Sequence, residues 1–397
     1  MLGTQIFKVD SKGKTRIWKT FVKDNGTYAS IHTITGLQDG KQVETIIDVR
    51  EGKNINRSNA TTPLQQAISE AEAKMELKLR GEYRLTIEDT KQGVLRSGIP
   101  APMLAATYSV NGERKNSKTL KQFGILGELV GTQSKLDGNR MIVRVNKYEA
   151  IAYTRKGDVM PVQLEHVIND IRASYDYNGF TEEIILDGEA FPSKESGMSF
   201  NEANGLLKRF KGEKSEKLKN IKYYIYDVMM PLPYEKREDV LKNFESESVI
   251  KVKTNYVIAT DEALKALLEA EIANGEEGLI IRKLNMTYEH KRSQGLIKFK
   301  AFEDSEFTLV GIERDKRGEF AGTFVLKMDK ESYDSSGKLI ETFRAGTTNM
   351  TVPELMDIWN NREKYLGKVC TVEYFERDSK THVPRFGKMK ELARADI

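Results

Sequence analysis

From Gly131 onward, short runs with the composition and alternation of β-strands recur, separated by turns of glycine, proline and aspartate and by only a few helical stretches. Strands are expected at Arg140–Val145, Ala150–Thr154, Glu183–Leu186, Tyr223–Tyr226, Glu277–Lys283 and Leu296–Lys300. Helices are expected at Pro161–Ala173, with Leu164, Val167, Ile168 and Ile171 on one side, near Glu238–Phe244, and at Asp261–Ala273. In the last, Leu264, Leu267, Leu268 and Ile272 point inward and Gly275 is the stop. Beyond Asp304, strands at Phe307–Ile312, Thr323–Met328, Ile340–Arg344 and Lys368–Phe375 surround a helix opened by Pro353. That many strands in under about a hundred residues suggest a small barrel. The pattern excludes an all-helical fold, and a chain of 397 residues exceeds one ordinary core, so an α+β protein of two or three domains is expected.

The first hundred residues read differently. Thr15–Val22, Tyr28–Ile34 and Gln42–Val49 alternate apolar and polar residues, with Asn25-Gly26 and Asp39-Gly40 between them, which predicts a small antiparallel sheet. Thr62-Pro63 then opens a helix to about Leu79, with Leu64, Ile68 and Met75 near one face and Gly81 as its stop. Residues 1–98 hold 16 Lys/Arg against 12 Asp/Glu, which accounts for the whole formal net charge of +4. A basic segment on a nearly neutral remainder fits a polyanionic partner. The breakers Gly93, Gly98, Pro100 and Pro102 place a boundary near residue 98, giving domains 1–98, 99–303 and 304–397.

No run of some eighteen apolar residues is present, and Met1 to Lys14 lacks the apolar core of a signal peptide, so a cytoplasmic location is expected, in the host cytoplasm if the source is viral. The chain is expected to be a monomer. One cysteine, Cys370, excludes an internal disulfide and a zinc site of several cysteines. His32, His166, His290 and His382 lack ligand spacing.

Chemistry concentrates at Gln133-Ser134-Lys135-Leu136-Asp137-Gly138-Asn139-Arg140. A lysine attacks phosphorus only when neutral, which requires desolvation and neighbouring cations to lower its pKa. Gly138 would let the backbone pass close to a nucleotide, and Arg140 offers a planar donor fork for ribose or phosphate. The alternative is a surface turn, since Asp-Gly often closes a hairpin. Lys208, Arg209 and Lys211 belong to a basic run with Phe200 and Phe210, either a solvated face or a nucleic-acid contact.

In order along the chain stand Lys135-Leu136-Asp137-Gly138-Asn139-Arg140, Thr154-Arg155-Lys156-Gly157, Asp187-Gly188-Glu189, Tyr223–Asp227, Glu277-Gly278 and Lys298-Phe299-Lys300. This series resembles the nucleotidyltransferase motifs of ATP-dependent DNA ligases over residues 99–397. The resemblance implies a mixed-sheet adenylation domain followed by an OB-fold. Trp18, Gly52-Lys53-Asn54-Ile55-Asn56-Arg57 and the following helix resemble a WGR-type DNA-binding domain.

By the same resemblance Lys135 is the nucleophile, and Gln133 reads adenine, as an amide can by donating and accepting together. Tyr226 stacks on the base, with Tyr223 as the alternative; Arg140 and Glu189 hold the ribose, and Arg155 serves phosphate or nicked DNA. Glu277, with Glu189, binds Mg2+ or Mn2+; Lys298 and Lys300 face the α-phosphate and the leaving pyrophosphate, although they also read as the polar face of an ordinary strand. The last family motif matches Val383–Lys390 or Arg394-Ala395-Asp396, leaving Lys388, Lys390 and Arg394 as candidates. The implied substrates are ATP and nicked duplex DNA, in replication, repair or recombination. The rivals are an RNA ligase, an mRNA-capping guanylyltransferase, or a non-catalytic DNA-binding protein on the same scaffold.

Overall fold

The computed structural model describes residues 3–10, 13–95, 97–112, 116–209, 215–315, 318–334, 336–347, 350–375, 377–378 and 381–392. The elements begin with β1 (Gln5–Val9), β2 (Thr15–Asp24), β3 (Ala29–Leu37), β4 (Gln42–Val49), α1 (Pro63–Arg80), α2 (Ile87–Gln92), β5 (Leu104–Tyr108), β6 (Ser117–Lys118) and α3 (Leu120–Phe123). Then come β7 (Leu129–Lys135), β8 (Asn139–Val145), β9 (Ala150–Thr154), α4 (Glu165–Tyr177), β10 (Ile184–Pro192), α5 (Phe200–Leu207), β11 (Ile221–Val228), α6 (Tyr234–Leu241), β12 (Val249–Lys251) and β13 (Asn255–Ile258). The chain continues with α7 (Asp261–Ala273), β14 (Gly278–Arg282), β15 (Arg292–Phe299), β16 (Glu303–Arg314), β17 (Ala321–Lys327), β18 (Thr342–Thr347), α8 (Val352–Asn360), β19 (Val369–Tyr374) and β20 (Lys388–Glu391).

These elements gather into two compact units. One takes residues 1–106, 125–259 and 280–297, and the other residues 107–124, 260–279 and 298–397. In the first, β1 to β4 form an antiparallel sheet in sequence order. Helix α1 starts on a capping box, in which the Thr62 hydroxyl and the Gln65 side chain each satisfy the other's backbone N–H. Its Ala67, Ala71, Met75 and Leu79 are buried, Met75 and Leu79 with Ile6 and Trp18, and Ala67 and Ala71 with Ala29 and Ile31. The three expected strands and the helix are all present. Strand β1 was not expected from the sequence, Gln5–Val9 being only five residues long.

Two further sheets follow, with orders β12-β11-β10-β8-β9 and β13-β7-β14-β15-β5-β6. A core of Met141, Val143, Val145, Val167, Ile171, Leu186, Ile221, Tyr223 and Ile225 fills the space between the first of these and α4. Helix α4 begins four residues later than its apolar pattern suggests, because Pro161 and Val162 lie in the preceding turn. The polar stretch 196–222 also holds α5, which buries Ala203 and Leu207.

In the second unit α7 has the expected bounds, with Leu264 and Leu268 buried, but Ile272 is 40% exposed and does not point inward. Strands β16-β17-β18-β20-β19 close into a barrel around Phe307, Phe324, Phe343, Val372 and Met389, with α8 packed on it through Leu355 and Ile358. Its fifth strand, β20, is only four residues long and was not expected.

Candidate active site

Strand β7 belongs to one of the central sheets and β8 to the other, so Lys135-Leu136-Asp137-Gly138 is the segment on which the chain changes sheets. The hairpin reading of Asp137-Gly138 is therefore overturned. A Cβ on Gly138 would lie 2.5 Å from Glu189 Cγ and 2.9 Å from the Ala190 carbonyl. The glycine lets the backbone after Lys135 pass tightly over β10, which brings the lysine and Glu189 into one neighbourhood.

Burial lowers the Lys135 pKa; Arg140 and Arg155 act in the same direction, and Glu189 and Asp137 oppose them. The Glu189 carboxyl is pushed up to about 7 by burial, against the pull of Arg140 and Lys135. The two groups share a field in which each favours the other's charge while the site's dryness disfavours both.

Tyr226 owes its position to a bulge. Asp187 pairs with Asp227 but Gly188 pairs with Ile225, so Tyr226 is the extra residue on β11. Its hydroxyl donates to Glu189 Oε2 at 3.4 Å, and its ring lies 5.8 Å from the Arg140 guanidinium. Tyr223, the alternative stacking residue, is fully buried and donates to the Met141 carbonyl at 3.0 Å, which leaves no face for a base.

Two buried aspartates support this site, and the sequence did not reveal their roles. Asp187 accepts from Arg140 Nε at 2.9 Å and Nη2 at 2.5 Å, and from the Tyr288 hydroxyl at 2.5 Å. Asp187 thus engages one edge of the Arg140 fork. Asp227 accepts from Arg237 Nε at 2.7 Å and from Arg282 Nη1 at 2.6 Å. Arg282 in turn donates to Gln133 Oε1 at 2.6 Å and to the Tyr226 carbonyl at 3.1 Å. Gln133 Nε2 donates to the Tyr234 hydroxyl at 2.9 Å and to Thr254 Oγ1 at 3.2 Å. The amide expected to read adenine is committed inside the protein, and a base could be read by it only by displacing one of these partners. The signal for this network was present as charged residues inside apolar strands, Asp187, Asp227 and Arg282.

Arg155 is exposed in the turn after β9, where Gly157 at φ 83° closes back on Thr154. Lys208 and Arg209 are exposed just past α5, while Lys211 lies outside the described residues, as does Arg394. Nearby Lys217 and Lys219 pair with Glu202 and Glu216, as a solvated face would. In the second unit, buried Glu277 forms an ion pair with Lys300, whose ammonium lies 4.7 Å from the Phe375 ring centre. Lys298 and Lys300 are half-buried on either side of buried Phe299, and Lys388 and Lys390 are exposed on β20, where Lys390 pairs with Asp304. Among the described residues no three His, Cys, Asp or Glu side chains cluster as a metal site. No helix among them is long and apolar enough to cross a membrane.

Two sheets joined through a lysine-bearing crossover, followed by a small closed barrel, make a nucleotidyltransferase-like ligase fold. A family model described as "ATP dependent DNA ligase domain" matches residues 102–300, half of the chain. The chain belongs to the ATP-dependent DNA ligases. It is 24% identical over 386 residues to the DNA ligase of African swine fever virus (isolate Warthog/Namibia/Wart80/1980), covering 93% of this chain and 84% of the relative. It is 27% identical over 311 residues to the DNA ligase of Enterobacteria phage T4, covering 68% of this chain and 63% of that protein. A solved structure of a Lig E DNA ligase shares the fold with a TM-score of 0.53 at 18% identity, over 74% of this chain and all of the other.

Proposed function

We propose that this ligase seals nicks in duplex DNA in three transfers through one pocket. Lys135 Nζ, deprotonated, bonds to the α-phosphorus of ATP and pyrophosphate leaves. The AMP then passes to the 5′-phosphate of a nick, freeing Lys135, and the 3′-hydroxyl displaces AMP as the phosphodiester forms. The single observation that carries this reading is the placement of Lys135, its charge disfavoured by burial, on the sheet crossover beside Glu189.

The residues present fit a nucleotide. Tyr226 offers a half-buried ring for the base, Glu189 an acceptor for ribose, and Arg140 its Nη1 donors beyond those engaged by Asp187. Asn139, inside the same motif, has a buried amide nitrogen without an acceptor among the described residues. Gln133 then acts from behind, orienting Arg282 and through it the Tyr226 backbone. A divalent ion such as Mg2+ would be held by Glu277 or Glu189 together with phosphate oxygens, and would neutralise phosphate charge. Lys298, Lys300 and one of Lys388, Lys390 or Arg394 serve the phosphates, and Arg155, Lys208, Arg209 and Lys211 serve DNA.

Residues 1–98 act as a WGR-like DNA-binding module, 99–303 as the adenylation domain and 304–397 as the OB-fold. Such nick sealing would serve DNA replication, repair or recombination, and the viral and phage relatives fit a cytoplasmic location. The deciding experiment is transfer of label from α-labelled ATP. Wild-type protein should retain labelled AMP, whereas Lys135→Ala should not, yet should still seal a nick supplied already adenylated. Label attached to Lys135→Ala would overturn the nucleophile assignment, and preference for nicked RNA or labelled GTP would overturn the substrate.

A further inference from the structure

Strand β4 ends the N-terminal sheet with one side unpaired by any strand of that sheet, and its residues Gln42 to Asp48 are all exposed. Val43, Ile46 and Ile47 are 52%, 55% and 45% exposed. A long edge strand rich in β-branched apolar residues, with no proline, lysine or bulge to blunt it, is a template for a further strand. The acids on β4 do not guard it: Glu44 pairs with His32 at 2.8 Å, and Asp48 is bound by Arg50 at 2.9 Å and Ser30 at 3.0 Å.

Register identifies what fits. Val43, Thr45 and Ile47 pair with Thr35, Thr33 and Ile31 of β3 and share one face, while Gln42, Glu44, Ile46 and Asp48 share the other. A second β4 added antiparallel about a two-fold axis must be centred on one residue that meets itself. Centring on Glu44 sets that carboxylate against its own copy, and centring on Ile46 sets Glu44 against Asp48. Centring on Thr45 uses the whole run from Gln42 to Asp48. Val43 then meets Ile47 twice, Thr45 meets Thr45, Glu44 meets Ile46 and Gln42 meets Asp48, with no like charges opposed. We propose that β4 pairs with β4 of a second copy of this chain, centred on Thr45, to give a continuous eight-stranded sheet. This replaces the monomer expected from the sequence and does not depend on the nick-sealing reading.

Pairing one strand edge engages less surface than a standard stable interface, so the dimer should be weak and concentration-dependent. Light scattering on the full chain across a wide concentration range should show the mass rising from 45.2 kDa toward twice that value. Thr45→Lys and Thr45→Glu, which each set like charges against themselves at the axis, should both hold the chain monomeric. Ile46→Lys should dimerise at least as well as wild type, because the new ammonium meets Glu44 of the second copy. Opposed Cβ atoms in antiparallel strands lie about 4.5–5.5 Å apart, close to the disulfide requirement. Since Cys370 is buried, mild oxidation should cross-link Thr45→Cys and leave Val43→Cys single. A wild-type protein monomeric at every concentration, or equal cross-linking of the two cysteine variants, would overturn the proposal. Adenylation by ATP serves as the folding check for every variant.

Discussion

Asp227 supplies the sharpest test of what holds the sheet of the candidate site together. Its carboxylate is 1% exposed and carries two guanidinium groups, Arg237 and Arg282, whose side chains are 2% and 3% exposed. In Asp227→Asn the shape survives, but two buried cations lose their counter-charge and an amide N–H₂ can face a donor. Arg237 keeps the Leu232 and Met286 carbonyls, and Arg282 keeps Gln133 and the Tyr226 carbonyl, so neither guanidinium is wholly stranded. Removing one partner of such a buried pair costs about 3–5 kcal/mol. At about 1.4 kcal/mol per factor of ten, that corresponds to amide exchange in β10 and β11 faster by roughly a hundredfold to a few thousandfold. Hydrogen exchange read by mass spectrometry suits a chain of several units better than a single denaturation curve, which assumes one cooperative transition. Peptides of β1 to β4 and of the barrel should keep their protection. Acceleration of less than tenfold in β10 and β11 would refute the argument, and would mean that water already reaches these charges.

Glu189→Gln should move the pH midpoint for adenylation downward, because the larger of the two carboxylate influences that raise the Lys135 pKa is gone and only Asp137 remains; a midpoint that rises would contradict the assigned field. The same substitution should help stability above neutral pH. A carboxyl raised from its ordinary value to about 7 contributes stability below its unfolded pKa and loses it as pH climbs through 7, so the gain should appear in melts at pH 8 and vanish near pH 4. Gly138→Ala forces the backbone away from Glu189 and Ala190 and should lower the adenylation rate by roughly ten- to a hundredfold, as small displacements of reacting groups do. Gly205→Ala, where a Cβ meets nothing within 4 Å, is the matched control and should react normally. Deleting residues 1–98 should weaken binding to nicked DNA and flatten its salt dependence while leaving the reaction with ATP unchanged; equal salt slopes would show that the segment does not clamp phosphates.

Much of the fold was legible because its sheets write themselves in period two and its turns in glycine and asparagine, as at Asn25-Gly26 between β2 and β3. Helix α7 has the bounds expected for it, with Gly275 after its end as the local stop signal, and the structure adds Thr260 as its N-cap. Ile272 defeated the helical pattern, since periodicity says which residues share a face but not how far the neighbouring element extends along it. Motif order singled out Lys135, Glu189 and Tyr226 as one group. It could not show that Tyr226 owes its direction to a bulge, because pairing register lies in the partner strand. Nor could it show that Gln133 faces Arg282, 149 residues away, since buried polar networks are assembled by tertiary packing alone. The hairpin reading of Asp137-Gly138 failed for a related reason: two strands joined by a tight segment need not belong to the same sheet.

The last strand of the barrel ties charge to closure. Lys388 and Met389 are paired in parallel with Gly346 and Thr347 on one side, and antiparallel with Glu373 and Val372 on the other. Met389 is fully buried, while Lys388 and Lys390 point to solvent. This four-residue piece is thus the stave that seals the seam between β18 and β19, and the cations ride on its outer side. Shortening the chain to residue 387 would take away two lysines and also leave two raw strand edges and a hole where Met389 sat. Inactivity of such a truncated chain would say nothing about the lysines. Only point changes at the alternate positions can separate the chemistry of this segment from the integrity of the wall it completes.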